Sequence, residues 1–418
     1  MKKIYKYLKK CRLCNNQEFS NIYSNNSSPI GDSFSSKEDY FSQTDKTYPL
    51  NILLCKKCRL AQLDIVIDNN IFKQSNLSTL QSNTGLMSHF KKSSNVLISK
   101  LNLNKKSKVL EILKDPDTYE ASLLKIFDNK GYKTLGIEET KFKYKNLKSK
   151  SKKIIIGKIN KELTDEISNT FGKSDLLIAN NILANIHNLN SYMNNIKNLI
   201  SEEGSFVFES SYLYDMIKNQ VFDFVYHEHL SYFCILSVKN LCKRHGLILY
   251  DFDFLNTKGG SIRYYITKNQ NFKINSKINQ VINKEKKFKL FTKKPYKKIK
   301  SNIRFIKNKL RSFLKKNYKY NLIGFGASVS CTTFIYEFGI EKKLIKILDD
   351  NMSKENKFSP GSKIKVVNPN NTKLTKNDIV IILAWRFKKQ IINNHEEFLK
   401  KALKVIVLWP KFRSLEIL

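Results

Sequence analysis

Four of the seven cysteines stand in two pairs of identical spacing, Cys11-x-x-Cys14 and Cys55-x-x-Cys58. One such turn presents two thiolates to a single metal, and two turns complete a tetrahedral set. The second pair follows the strand-like run Tyr48–Leu54 and precedes Arg59-Leu-Ala-Gln-Leu63, which predicts a zinc knuckle closing a small β-rich module. Disulfides are the alternative, and they belong to oxidising compartments. The basic N-terminus lacks the apolar core segment and small-residue cleavage site of a secretory signal. The chain also has no apolar run long enough to span a bilayer. The chain is therefore read as cytoplasmic and the four thiols as a structural Zn2+ site, with no coordination position left for catalysis. Cys234, Cys242 and Cys331 have no partner at ligand spacing and read as packing residues.

Beyond this module, short apolar runs alternate with helical patterns. Lys108–Ile112, Tyr132–Glu138, Asp175–Asn181 and Gly204–Glu209 read as strands, with helical spacing at Leu123–Phe127 and Tyr192–Ile200. A second series follows: Tyr320–Ser328, Lys346–Asp350, Asp378–Trp385 and Val405–Trp409. Alternation of this kind predicts doubly wound parallel sheets, with ligands beyond the carboxyl ends of the strands. Glu138, Asn180, Asn181 and Glu209 fall at such ends. The expected fold class is α/β, with four segments. Residues 1–80 form the zinc-binding module and 81–270 a Rossmann-like domain. Residues 271–318 form a basic helical linker, and 319–418 a second, smaller Rossmann-like domain.

The densest chemistry lies in Phe222-Asp-Phe-Val-Tyr226-His227-Glu228-His229-Leu-Ser-Tyr-Phe233, which sets two imidazoles, two carboxyls and phenols among apolar residues. Buried acid–base groups are costly unless paired, so the run reads as a pocket wall able to move protons. A surface loop or a satisfied core histidine is the plainer reading of any single member.

The formal charge of +39 first suggests nucleic acid. Lysine, asparagine and isoleucine are abundant throughout while alanine, glycine and arginine are scarce, which fits a compositional bias better than a binding stripe. The excess peaks over Lys284–Lys319, with 16 Lys/Arg against one acid, Glu285. That segment still carries Ile299, Ile303, Ile306, Leu310, Phe313 and Leu314 at helical spacing, so it reads as a linking helix with a solvated face. Attraction of an anionic substrate is a weaker option, and RNA binding a minor third.

In this order, the parts resemble the sugar C-methyltransferase family over nearly the whole chain. The resemblance rests on the cysteine module, Ala179-Asn-Asn-Ile-Leu183, Phe206-Val-Phe-Glu209, Tyr226–Phe233 and Gly259-Gly260-Ser261-Ile-Arg263. It rests also on Gly324-Phe-Gly-Ala-Ser328, Asp349-Asp-Asn351, Phe358-Ser-Pro-Gly361 and Ile382-Leu-Ala-Trp385. It implies S-adenosylmethionine as methyl donor and a nucleotide-linked keto-deoxysugar as substrate, methylated on carbon. It implies His229 as the base that forms an enolate, with Tyr226 donating to the enolate oxygen and Glu228 orienting a ring or hydroxyl. Glu138 would accept from the donor's ribose hydroxyls. Glu111, Asp115, Asn180 and Asn181 would line the donor side, and Arg263, Phe325, Ser328 and Trp385 the sugar-nucleotide side. For Arg263 a structural salt bridge is an equal alternative, and for Trp385 a plain core role. The expected partner is a small nucleotide sugar, with no nucleic acid and no membrane, acting on a monomer or weak homo-oligomer.

The sequence departs from the family pattern at the donor loop. Where a glycine-rich turn is expected, this chain has Leu113-Lys-Asp-Pro-Asp-Thr118, without glycine and with Pro116 fixing the backbone. The tyrosines expected after the zinc module are replaced by Ser75-Asn-Leu-Ser-Thr79, and an expected histidine is Asn185. Two readings stand: an active methyltransferase with a divergent donor loop, or a relative that binds a sugar nucleotide or protein partner without methyl transfer.

Overall fold

The computed structural model describes residues 4–31, 33–37, 46–68, 84–113, 119–120, 122–139, 153–257 and 259–415. Asp115, the rest of the 114–118 loop and Ser75–Thr79 lie outside the described residues.

Strands Tyr5–Tyr7 (β1), Phe19–Ser28 (β2), Tyr48–Cys55 (β3), Ala61–Leu63 (β4) and Ile65–Ile67 (β5) build the N-terminal module. Alternate residues of β3 are buried, as one-sided packing requires. Arg12, itself buried, donates to the carbonyls of Leu63 at 2.7 Å and Ile65 at 3.1 Å, stitching the first cysteine turn to β4 and β5.

After helix Thr84–Lys100 (α1) comes the middle sheet. Its strands are Lys108–Leu113 (β6), Lys133–Glu138 (β7), Ile154–Ile156 (β8), Ser174–Ile178 (β9) and Ile200–Ser211 (β10). Helices Leu123–Asn129 (α2), Lys161–Thr170 (α3) and Leu189–Leu199 (α4) lie between them. Leu213–Lys218 (α5), the two-residue strand Ser231–Tyr232 (β11), Ile235–Arg244 (α6), Ile248–Leu255 (β12) and Ser261–Thr267 (β13) follow. The spatial order is β12-β13-β10-β9-β6-β7-β8. Strands β6 to β10 pair in parallel and β13 runs antiparallel to both its neighbours. The sheet is thus mixed rather than wholly parallel. The strand order reverses between β6 and β9, the point at which open α/β sheets bind ligands.

The basic stretch forms two helices, Lys277–Lys287 (α7) and Lys294–Lys316 (α8). Helix α8 buries Ile299, Ile303, Ile306 and Leu310 of the stripe its spacing predicts, together with Tyr296, while Phe313 and Leu314 are half-buried. The C-terminal sheet then assembles from Asn321–Phe325 (β14), Leu344–Leu348 (β15), Val366–Val367 (β16), Asp378–Ile382 (β17), Lys404–Val407 (β18) and Arg413–Leu415 (β19). Helices Val329–Phe338 (α9), Lys388–Asn394 (α10) and Glu396–Leu399 (α11) accompany it. Its order is β16-β15-β14-β17-β18-β19, the arrangement of dinucleotide-binding sheets, with a reversal between β14 and β17. At that reversal Gly326 has φ +112°, and a Cβ there would lie 2.6 Å from the Cβ of Ala384 and 3.0 Å from its nitrogen. Only glycine fits this turn.

Candidate functional site

The four cysteines come together. Their sulfurs all lie within 4.8 Å of one another, with Cys11–Cys58 at 3.5 Å and Cys14–Cys55 at 3.4 Å. Each turn closes in the same way. Asn15 N–H donates to Cys11 O at 3.0 Å and Arg59 N–H to Cys55 O at 3.1 Å, and both donors sit in the left-handed region at φ 59° and 62°. Gln62 Nε2 donates to Cys11 Sγ at 3.2 Å, an outer contact of the kind that stabilises thiolate. The all-thiol donor set and its tetrahedral spacing fit Zn2+ and leave no ligand position open.

Residues 222–233 form a junction of three sheets. Ser231 and Tyr232, as β11, pair antiparallel with Gln62 and Ala61 of the zinc-binding sheet. Phe233 bridges Tyr212 and accepts the Leu213 N–H at 2.9 Å, which ties the run to the carboxyl end of β10. Asp223 points the other way, into the C-terminal sheet. It is buried and accepts from Arg386 Nη1 at 2.7 Å and Trp385 Nε1 at 3.1 Å. Burial raises its pKa against the pull of Arg386 and Trp385. The Arg386 guanidinium also lies 4.0 Å from the Phe224 ring centroid and donates to Ser330 Oγ at 3.1 Å.

Within this frame His229 is buried, with Nδ1 3.3 Å from the Phe224 carbonyl. A carbonyl only accepts, so this contact places the proton of a neutral ring on Nδ1 and the lone pair on Nε2. The His229 ring centroid lies 5.6 Å from that of half-buried Tyr226 and 4.4 Å from that of Tyr232. Glu228 is half-buried on the same turn. His227 faces the zinc-binding sheet instead. Its Nε2 is 3.4 Å from Tyr48 O, and burial lowers its pKa to about 4, which keeps it neutral.

At the middle sheet's reversal, Glu138 ends β7 fully buried. Asn180 Oδ1 accepts the Glu209 N–H at 3.1 Å, and its Nδ2 is buried without a hydrogen-bond partner among the described residues. Asn181 adopts φ 58° and donates its N–H to Glu209 O at 2.8 Å. Glu111 lies within β6 and accepts the Leu124 N–H at the start of α2; burial raises its pKa to about 8.

Arg263 takes the salt-bridge alternative rather than the expected diphosphate contact. Its side chain is 3% exposed and its Nε lies 2.9 Å from Glu209 Oε1, across the β10–β13 pair. The pair is completed by His89 of α1, whose Nε2 is 2.9 Å from Glu209 Oε2. Burial opposes ionisation of Glu209, but His89 and Arg263 prevail and hold its pKa below the usual value. An arginine satisfied inside a sheet has no face to offer a diphosphate from solvent.

Of the other expected substrate residues, Phe325 ends β14 buried, with its ring 5.0 Å from His395. Ser328 caps α9, accepting from Cys331 N. Trp385 is buried on Asp223. Sequence reasoning missed Asp223–Arg386 and His89–Glu209. The signals were present: Asp223 stands in the singled-out run, and Arg386 is one of eight arginines in a lysine-rich chain.

Residues 11–72 match the family model described as "Putative zinc binding domain", and residues 256–410 match "C-methyltransferase C-terminal domain". The C-methyltransferase NovU of Streptomyces niveus is 22% identical over 418 residues, covering 99% of this chain and 98% of NovU. Among solved structures, magnesium protoporphyrin IX methyltransferase from Synechocystis PCC 6803 with bound SAH aligns at TM-score 0.30 and 10% identity, over 44% of this chain and 83% of its own. Human N-acetylserotonin methyltransferase in complex with SAM aligns at TM-score 0.30 and 12% identity, over 46% and 57%. Superpositions that loose do not bear on the site. Among the described residues no helix is long and apolar enough to cross a membrane.

Proposed function

We propose that this methyltransferase, which carries the zinc-binding and C-terminal domains of the C-methyltransferase family, methylates a carbon next to a ketone on a nucleotide-linked deoxysugar, with His229 as the base. The observation that carries the reading is the His229 tautomer: Nδ1 held by Phe224 O directs the basic lone pair to Nε2. Tyr226 supplies a phenol on the same turn to donate to the enolate oxygen that forms as the proton leaves. Asp223, through Arg386 and Trp385, fixes that turn against the C-terminal sheet. The sugar-nucleotide class rests on the motif resemblance.

The residues at the middle sheet's reversal fit S-adenosylmethionine. Glu138 offers a carboxylate for ribose hydroxyls at the end of the second strand, and Asn180 Nδ2 is a buried donor without a protein partner among the described residues. When bound, the donor supplies a methyl group on a sulfonium. The glycine-free Leu113–Thr118 segment favours the second reading, a sugar-nucleotide binder that transfers no methyl.

Calorimetric titration of the zinc-replete chain with S-adenosylmethionine tests the donor site, and turnover of His229→Gln tests the base. We expect donor binding in both proteins and at least a hundredfold loss of kcat in the variant. Absence of donor binding at millimolar concentration would sink the enzyme reading. Turnover in the variant within a few-fold of wild type would move the base elsewhere.

A further inference from the structure

Helix α8 buries its apolar stripe, and the flank beside that stripe lines a concavity. Lys293, Lys297, Lys300 and Arg304 fall at i, i+4, i+7 and i+11, one stripe of the helix. They line an open cleft of about 390 Å³ whose other wall is β2, with Asn21 and Ser24 at its rim. The floor is apolar: Tyr23 and Tyr296 are buried, with ring centroids 6.4 Å apart.

The charges in this cleft are poorly balanced. Lys300 has a carboxylate, Glu337 Oε1 at 3.1 Å, which it shares with Lys307 at 3.3 Å. Among the described residues Lys293, Lys297 and Arg304 have no ion-pair partner. Four cations therefore face a share of one carboxylate around an apolar floor, and their summed field attracts an anion. Lysine is common everywhere in this chain, so charge alone carries little. Concavity distinguishes this stripe, and so does Arg304, whose planar fork suits phosphoryl oxygens in a chain with eight arginines.

We propose that this cleft binds a small polyanion carrying two or more phosphoryl groups, at a site distinct from the donor crevice and from residues 222–233. The stripe spans about 16 Å of helix, which suits a few phosphoryl groups. Single-stranded RNA is disfavoured because sequence-tolerant recognition needs exposed rings on which bases stack, and both tyrosines here are buried as floor.

The test is calorimetric titration of the full zinc-replete chain with inorganic pyrophosphate and, separately, ADP. Wild type should bind pyrophosphate with an affinity that falls as salt rises. Lys297→Gln/Arg304→Gln should weaken that binding at least tenfold. Lys298→Gln/Lys309→Gln, exposed on the same helix outside the cleft, should change it less than twofold. Tighter binding of ADP than pyrophosphate would make the ligand a nucleotide, and equal binding a bare polyphosphate; both support the site. Any pyrophosphate taken up at the substrate cleft would be insensitive to Lys297 and Arg304. No binding by wild type, equal loss in both double variants, or a single-stranded RNA oligomer bound more tightly than pyrophosphate with loss in both variants would overturn the proposal.

Discussion

The middle and C-terminal sheets each use a carboxyl to tie a strand to the start of a neighbouring helix or turn, in different electrical settings: Glu111 is buried and Asp349 half-buried. Asp349, just past β15, accepts the Ala327 N–H at 2.6 Å and the Asn351 N–H at 2.9 Å, beside the Lys354 ammonium. Glu111, inside β6, accepts one backbone N–H, from Leu124, and has Glu209 as its charged neighbour. Burial raises both pKa values. For Asp349 the Lys354 ammonium and two donors oppose that rise while Asp350 adds to it; for Glu111 only the Leu124 N–H opposes it, Glu209 adds to it, and the pKa reaches about 8. Asp349 anchors by accepting on both oxygens beside a cation. A carboxyl with a single donor and a like charge anchors as a neutral acid. The glycine turn at Gly326 belongs to the first kind of anchor; the glycine-free Leu113–Thr118 segment follows the second.

Asp223 is the extreme of the cation-paired kind, and its removal carries the largest expected effect. Asp223→Ala leaves the half-buried Arg386 guanidinium, over the Phe224 ring, without its carboxylate. Breaking a buried pair from one side costs about 3 kcal/mol or more. The melting temperature should fall by several degrees, and kcat should fall with it because the His229 turn loses its tie to the C-terminal sheet. An unchanged melting temperature would show that the pair is not the link between the two.

Next in size is Asp349→Asn. An amide has one acceptor oxygen, so one of the Ala327 and Asn351 N–H groups would face an NH2 donor. The expected loss is about 1–3 kcal/mol, measured by denaturant unfolding. A stability within error of wild type would mean that the carboxylate geometry at this turn is dispensable.

Much of this architecture is legible in the sequence because short apolar runs bounded by polar residues and alternating with helical patterns read as buried strands. The expected strands Lys108–Ile112, Asp175–Asn181, Tyr320–Ser328 and Asp378–Trp385 overlap the observed Lys108–Leu113, Ser174–Ile178, Asn321–Phe325 and Asp378–Ile382, the last three running too far at their ends. The four cysteines are legible for a stricter reason, since CxxC geometry admits few folds. The antiparallel pair β12–β13 was missed because Ser261–Thr267 is buried throughout and lacks the alternation of a half-exposed strand. Arg263 was misplaced for the same cause: a glycine pair before an arginine looks like a loop motif, while its guanidinium lies across the strand pair on Glu209. The three-sheet junction at 222–233 could not be read at all. Pairings such as Tyr232 with Ala61 and Asp223 with Arg386 join residues separated by more than 160 positions.

The remaining effect, set by pH, sharpens the contrast most, because the same acid-to-amide change should have the opposite sign at Glu111. The folded pKa of about 8 lies above the ordinary carboxyl value of 4.5. The folded protein therefore holds a proton that the unfolded chain releases, and this contribution to stability is complete below about pH 4.5 and is lost as pH rises towards about 8. Glu111→Gln carries no such proton. Its Oε1 can still accept the Leu124 N–H, and its NH2 takes the place of the carboxyl O–H. The variant should match wild type near pH 4 and exceed it by a margin that grows as pH rises towards 8. Urea unfolding of both proteins at the two pH values measures the difference. A variant less stable than wild type at pH 8 would mean that Glu111 is ionised there and needs both of its oxygens as acceptors, and the distinction between the two sheets would fall.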